Sequence, residues 1–351
     1  MTKTIKGIIV MITLICMSVQ SFGQDTITTG NKSVVYTFFV NWVPDQVNIP
    51  LIGFVNLAAG SHKGVQMGFV NVNQRRFDGT QMSFINTVGG EMNGAQLGFI
   101  NTCGGSLKGA QLSFINTVPG TTKGAQMGFL NTSADSVNGV QLGFINTTAK
   151  HLDGAQIGFV NTSISLKGLQ LSFVNTTKIL NGFQLGFINI VDTLGSGFPL
   201  GFLSIVRKGG YRAFEVSLSE LYPINISFKI GIKKLYTSFI ASYSHNNKCF
   251  SFGMGLGSII QMNNKLYFNP ELSSQSDLSG ENAQHQNLAL NFGYQLSPKF
   301  SILLGPSVSW NHSKYYDAPF KPFFAIYEHD FNTRNHLVVG ARLSLRYVLT
   351  D

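Results

Sequence analysis

Phenylalanine recurs at positions 54, 69, 84, 99, 114, 129, 144 and 159, once every 15 residues, and continues at 173, 187 and 202. Self-similarity at a fixed period restricts a chain to architectures that stack or repeat one small unit around a shared core. The columns around each ring repeat as well. Asparagine follows two residues later at 56, 71, 86, 101, 116, 131, 146, 161, 175 and 189. Glutamine stands three residues before the ring at 66, 81, 96, 111, 126, 141, 156, 170 and 184. Glycine stands five before it at 64, 79, 94, 109, 124, 139, 154, 168, 182 and 197, and the residue just before each ring is Gly or Ser. The unit is G-A-Q-L-G-F-I-N-T followed by about six variable residues.

The unit reads as a strand and a turn. In Ala95-Gln96-Leu97-Gly98-Phe99, the residues Ala95, Leu97 and Phe99 share one face, and Gln96 and Gly98 the other. Alternation breaks at Phe99-Ile100, where either a corner turns both side chains inward or the strand is buried on both faces. The variable part carries turn formers, as in Val88-Gly89-Gly90, Cys103-Gly104-Gly105 and Pro119-Gly120.

Three architectures use such a unit. In a parallel β-solenoid each unit is one coil, and each column stacks on itself at about 4.8 Å. Asn and Gln then bond along the stack and Phe rings stack on one another. In a hairpin meander each unit supplies two short strands. In a membrane barrel each unit is one strand, but the alternation of short turns and long loops would impose a super-period of about 30 residues, and none is visible. The solenoid accounts for the Asn and Gln columns and is the expectation; a repeated hairpin meander is the alternative. Asn146-Thr147-Thr148 and Asn175-Thr176-Thr177 match glycosylation sequons, but they arise from the repeat and are not read as glycan sites.

After about Val206 the period changes to two. In 224–232 (INISFKIGI) the residues Ile224, Ile226, Phe228, Ile230 and Ile232 fall on one face. In 287–296 (NLALNFGYQL), Leu288, Leu290, Phe292, Tyr294 and Leu296 do the same. About nine such runs lie between Tyr211 and Val348, of a length that suits a bilayer crossing. Short connections are expected at 233–234, 262–264 and 297–299, and longer polar ones at 275–286 and 311–321. This predicts an antiparallel, outer-membrane-type β-barrel with a lumen lined by Gly and Ser. A soluble sandwich is the competing fold. Pro306 predicts a bulge or an edge.

Residues 1–23 read as a secretory signal. Lys3 and Lys6 precede the apolar run 7–17, and Ser21 and Gly23 suit cleavage before Gln24. Lipoprotein processing at Cys16 is the rival reading. The domain organisation is therefore a signal peptide (1–23), an N-terminal leader or capping strand (24–52), a repeat domain of about ten units (53–206) and a barrel-like domain (207–351). The mature chain keeps Cys103 and Cys249, whose pairing the sequence leaves open. Charged residues make up 12% of the chain, against about 25% in soluble domains. Disorder is excluded, because a disordered chain is charged and poor in aromatics. The net charge of +9 is spread along the chain without a basic stripe, so no nucleic-acid partner is expected.

Few of the remaining residues suggest chemistry. Gly253-Met254-Gly255-Leu256-Gly257 resembles a phosphate loop but lies within an alternating strand. Glu328-His329-Asp330 could ligate a metal and is read as a solvated turn. The acids Asp78, Glu91, Asp135 and Asp153 are read as not sharing a column, so no carboxylate groove is expected. No catalytic, cofactor-binding or metal residues are assigned, and no cofactor is expected.

At the repeated G-x-Q-x-G-F-x-N unit, over about residues 53–206, the chain resembles the surface-repeat envelope proteins of Gram-negative bacteria. The resemblance implies an exported, envelope-associated protein and brings no reaction with it. The expectation is a non-enzymatic outer-membrane or cell-surface protein with a structural or binding role. Its partners would be outer-membrane lipid and a surface glycan or protein ligand. A small channel or transport protein is the alternative, and a secreted β-helix enzyme acting on polysaccharide the third reading.

Overall fold

A computed structural model describes residues 25–29, 32–278, 283–312, 321–332 and 334–349. The predicted signal segment, with Cys16, lies outside them. The chain forms two compact units, 1–177 and 178–351, and among the described residues every regular element is a β-strand.

The first unit is a parallel β-solenoid. A typical coil holds a six-residue strand such as Met92–Leu97, a bend at Gly98-Phe99, a four-residue strand such as Ile100–Cys103 and a turn at 104–106, and from Ile145 on the strands run together across the turns. Equivalent residues pair in register from coil to coil: Gln96 with Gln111, Gly94 with Gly109 and Asn101 with Asn116. The hairpin-meander alternative is thereby excluded. A hairpin of Asp25–Thr29 and Lys32–Tyr36 stands at the N-terminal end, antiparallel to Val40–Val43. That strand in turn pairs in parallel with Val55–Ala58 as part of the first coil.

Two amide ladders and two thin apolar columns fill the solenoid. Asn116 Nδ2 donates to Asn131 Oδ1 at 2.8 Å, and Asn131 passes the pattern to Asn146 at 2.9 Å. The glutamines run the other way: Gln111 Nε2 donates back to Gln96 Oε1 at 2.7 Å. Toward the turn from the ladders lie Val88, Cys103 and Val118 on one strand of the coil and Met92 and Leu107 on the other, all buried. A glycine column closes the geometry. Gly109 has φ +134°, and a Cβ there would sit 2.0 Å from the carbonyl oxygen of Gly94.

The corner is a correction to the sequence reading. Phe99 and Ile100 turn neither inward nor into a doubly buried strand; Phe99 is exposed and Ile100 half-buried on the outer surface. The amide ladders already occupy the interior, so the rings stack outside. Phe99 and Phe114 lie parallel with centroids 5.1 Å apart. The acids also need a correction, because Asp78 and Asp153 do share a column, five coils apart. At about 4.8 Å per coil that is about 24 Å, far beyond any carboxylate pair that cleaves a glycoside.

The second unit begins with two further coils, Phe183–Leu194 and Phe198–Lys208, also parallel and in register. With them the solenoid has about eleven turns. Then comes a closed antiparallel barrel of eight strands: β1 (Tyr211–Leu218), β2 (Ile224–Ile232), β3 (Leu235–Ser244), β4 (Cys249–Gly257), β5 (Leu266–Asp277), β6 (Gln284–Gln295), β7 (Phe300–His312) and β8 (Asn335–Val348). Each pairs with the next, and β8 closes on β1. The ring holds eight strands, not nine, because the segments Ile260–Gln261 and Tyr327–Asn332 pair only with β5 and β8 as hairpin extensions. Pro306 makes neither bulge nor edge. The β6–β7 register is interrupted opposite Pro306 and Gly305 and resumes without a shift. The expected long loops at 275–286 and 311–321 lie partly outside the described residues.

Candidate functional site

Alternation along the barrel strands sorts side chains by chemistry. Phe214, Val216, Ile226, Phe252, Leu272, Leu290 and Leu345 are outward and exposed, whereas Glu215, Ser217, Ser227, Lys229, Glu271, Asn291 and Arg346 are inward and buried. This is the reverse of a protein folded around an apolar core in water.

The inward charges converge at one level of the lumen. Glu215 on β1 accepts from Arg342 Nη2 at 3.0 Å and from Arg346 Nε at 2.6 Å, both on β8. Glu271 on β5 accepts from Arg342 Nη1 at 3.0 Å, from Tyr236 Oη at 2.9 Å and from Lys229 Nζ. Lys229 lies 3.4 Å from Glu215 as well. Arg342 thus bridges both carboxylates, and three cations face two anions in a site that excludes solvent. Burial at this depth is tolerated only where charges are paired and their remaining lone pairs and protons are bonded. Arg346 Nη2 also donates to Asn269 Oδ1 at 2.5 Å. The ring of Tyr236 carries Lys229 over its face at 5.2 Å from the centroid.

Glycines make room for these rings. Gly257 pairs with Tyr236, and a Cβ on it would lie 2.4 Å from that ring. The glycines of Gly253-Met254-Gly255-Leu256-Gly257 are therefore barrel positions in β4 and cradle no phosphate.

The connection 219–223 between β1 and β2 folds into the opposite mouth. Glu220 is fully buried; it accepts from Asn287 Nδ2 at 2.8 Å, from Ser309 Oγ at 2.6 Å and from Ser307 Oγ. Its carbonyl accepts from Phe323 N–H at 2.7 Å. A void lined by Ser219, Tyr222, Asn225, Gln275, His285 and Arg342 measures about 10 Å³, roughly the room of one water. Side chains from every strand point into this lumen.

The residues weighed from sequence fall elsewhere. Glu328 and Asp330 flank His336 across a hairpin, with Glu328 at 3.4 Å, while His329 turns away against the ring of Phe331. The trio is therefore not assembled. Each acid of the repeats meets a base: Asp78 with Arg76 at 3.0 Å, Glu91 with Arg76 at 3.6 Å, Asp135 with Lys150 at 3.3 Å and Asp153 with Lys167 at 3.6 Å. The sequon asparagines Asn146 and Asn175 are fully buried in the ladder. Cys103 and Cys249 are buried thiols, and burial raises the Cys103 thiol to about 11. The lumen network was missed at the sequence level. Its signal was there in the charges Glu215, Lys229, Glu271, Arg342 and Arg346, each at the polar parity of an alternating strand.

The last coil meets the barrel wall. Phe202 lies edge-on to Phe239, and Thr237 Oγ1 donates to the carbonyl of Gly201 at 3.4 Å. On β2, Ile230 and Ile232 are outward yet buried, whereas Ile224 and Ile226 on the same face are half exposed.

No family model matches the chain, and no curated protein matches it. Among solved structures, a chain described under "De novo design of transmembrane beta-barrels" is 8% identical. The match covers 40% of this chain and 96% of that one, with a TM-score of 0.27. The barrel assignment rests on the strand pairing above.

Proposed function

We propose that the protein is a non-enzymatic outer-membrane protein of the surface-repeat kind, in which the barrel is the membrane anchor and the solenoid a structural or binding module. The single observation that carries this reading is the inverted sorting of the barrel, with an apolar wall around a hydrogen-bonded, charged interior. A closed barrel leaves no unpaired edge, which a spanning sheet requires. The packed lumen disfavours transport.

Topology supports a side for the solenoid. The chain enters β1 at Tyr211 and leaves β8 at Val348, both at the end that holds the two-residue turn Lys233-Lys234. The longest connection, 313–334, lies at the other end. Outer-membrane barrels place short turns in the periplasm and long loops outside, so the solenoid belongs to the periplasmic side. Fractionation tests the anchor. The protein should remain in the outer membrane after a carbonate wash and leave it only with detergent. Recovery of the mature chain in soluble periplasm would reject the reading.

A further inference from the structure

We propose that the outer corner of the solenoid is a lipid-contact surface, seated in the acyl chains of the periplasmic leaflet. The proposal rests on the barrel being the membrane anchor.

Three outward columns carry it, represented by Leu97, Phe99 and Ile100. Across eleven units these columns hold 33 positions, and every one is Val, Ile, Leu, Met or Phe. Core packing cannot explain that uniformity, because the columns face out: Leu97 is 38% and Phe99 42% exposed. Contact with water would let polar residues drift in, as they do in the turns. Charges in the coils stay off this corner. Lys108 and Lys123 sit at the far end of the six-residue strand, Asp153 in the equivalent column, Glu91 and Asp135 in the turns, and Lys150 in the strand segment that replaces a turn.

The strip is also long. In the first unit adjacent rings from Phe54 to Phe173 are 4.8 to 5.2 Å apart, so nine rings extend about 40 Å. The hydrocarbon core of a bilayer is about 30 Å thick, and a strip of this length suits lying along a leaflet rather than crossing it. Soluble monomers rarely expose a contiguous apolar patch of this kind. One polar flank and one apolar face are what an in-plane, monotopic element needs.

In the second unit the last rung of the strip, Phe202, contacts Phe239 on the outer wall of the barrel. On that wall Phe214, Ile226 and Phe252 are exposed. A solvent that wets the barrel wall therefore reaches the end of the strip without crossing a polar boundary.

Site-directed spin labelling of the full chain in phosphatidylethanolamine–phosphatidylglycerol vesicles tests this. Labels are placed by Leu112→Cys on the strip, Lys108→Cys on the polar flank and Leu290→Cys on the barrel wall, each with Cys103→Ser and Cys249→Ser. The ratio of oxygen to nickel-chelate accessibility should be several-fold higher at positions 112 and 290 than at 108. Should that pair fail to fold, Met127→Cys and Lys123→Cys repeat the comparison. Lipid exposure at 290 with water exposure at 112 overturns the lipid strip and leaves the anchor standing. Water exposure at both overturns both. Exclusion of both reagents at 112, with dipolar broadening between labels, means that a second copy covers the strip and overturns the proposal.

Discussion

Phe202, the last ring of the solenoid column, meets Phe239 on the barrel wall at 68°, with centroids 5.7 Å apart. The contact joins two surfaces built on one rule. In solenoid and barrel alike, polar groups bond to one another inside and large apolar side chains cover the outside, although the solenoid also keeps thin apolar columns within. Amide ladders satisfy the solenoid interior and ion pairs the barrel lumen, and each arrangement makes definite predictions.

The Asn ladder is a chain of donors with no slack. Asn116 Oδ1 accepts from Asn101 and from Ser113 Oγ, and its Nδ2 donates to Asn131 and to the Met127 carbonyl. Asn116→Ala removes all four bonds and strands neighbours in a dry interior. Each unsatisfied buried group costs about 1–3 kcal/mol. Urea unfolding should show a loss in that range or above, whereas Thr117→Ala on the outer face of the same strand should fall within about 0.5 kcal/mol.

Gly109 cannot carry a side chain. Gly109→Ala combines φ +134° with a Cβ 2.0 Å from the Gly94 carbonyl oxygen, so the neighbouring coils must separate. A loss of at least about 1–3 kcal/mol is expected from backbone strain alone. The adjacent Ala110→Val should be tolerated, since Val140 occupies that column four residues before Phe144. Thermal unfolding followed by circular dichroism compares the two.

His62 makes the first coils acid-sensitive. Burial lowers its affinity for protons, and its Nδ1 lies 2.8 Å from the Val47 carbonyl. The unfolded chain binds a proton near pH 6.5, and the folded chain does so only at lower pH. The stabilising contribution is therefore complete above about pH 6.5 and is lost as pH falls below it. His62→Met places at this position the residue that Met92 supplies in the same column two coils on. It should flatten the fall in stability between about pH 7 and 5, read from urea midpoints.

The lumen network should show strong coupling. Lys229→Met leaves Glu271 and Glu215 short of one cation, and Glu271→Gln leaves Lys229 and Arg342 short of one anion. Removing one partner of a buried pair costs about 3–5 kcal/mol. The double variant should cost less than the sum of the singles, because each change relieves the other. Denaturant unfolding of the barrel in detergent micelles measures the cycle; strict additivity would mean that the two side chains act independently.

How far the sequence could be read follows from what repeats. A column every 15 residues announces stacking, and Asn and Gln in fixed columns announce ladders, because amides bond well to their own kind. The direction of the side chains was not legible. Leu97 and Phe99 alternate with Gln96 and Gly98 whichever face is inward, and only the neighbouring coils decide it. Strand count failed for a related reason: the hairpin segment Tyr327–Asn332 has the composition of a strand, and its absence from the ring is a matter of pairing. The lumen charges are far apart along the chain. Glu215 and Arg346 meet because β8 closes on β1, and closure leaves no local mark.

Labelling from outside the cell tests the central claim, a barrel in the outer membrane with its solenoid on the periplasmic side. A membrane-impermeant maleimide is added to cells carrying either Lys108→Cys in a solenoid coil or Asn246→Cys in the connection between β3 and β4. The native Cys103 and Cys249 are buried and should stay silent. The account predicts that position 246 reacts on intact cells and position 108 only after the outer membrane is permeabilised. Reaction of position 108 on intact cells, with position 246 protected, would contradict it.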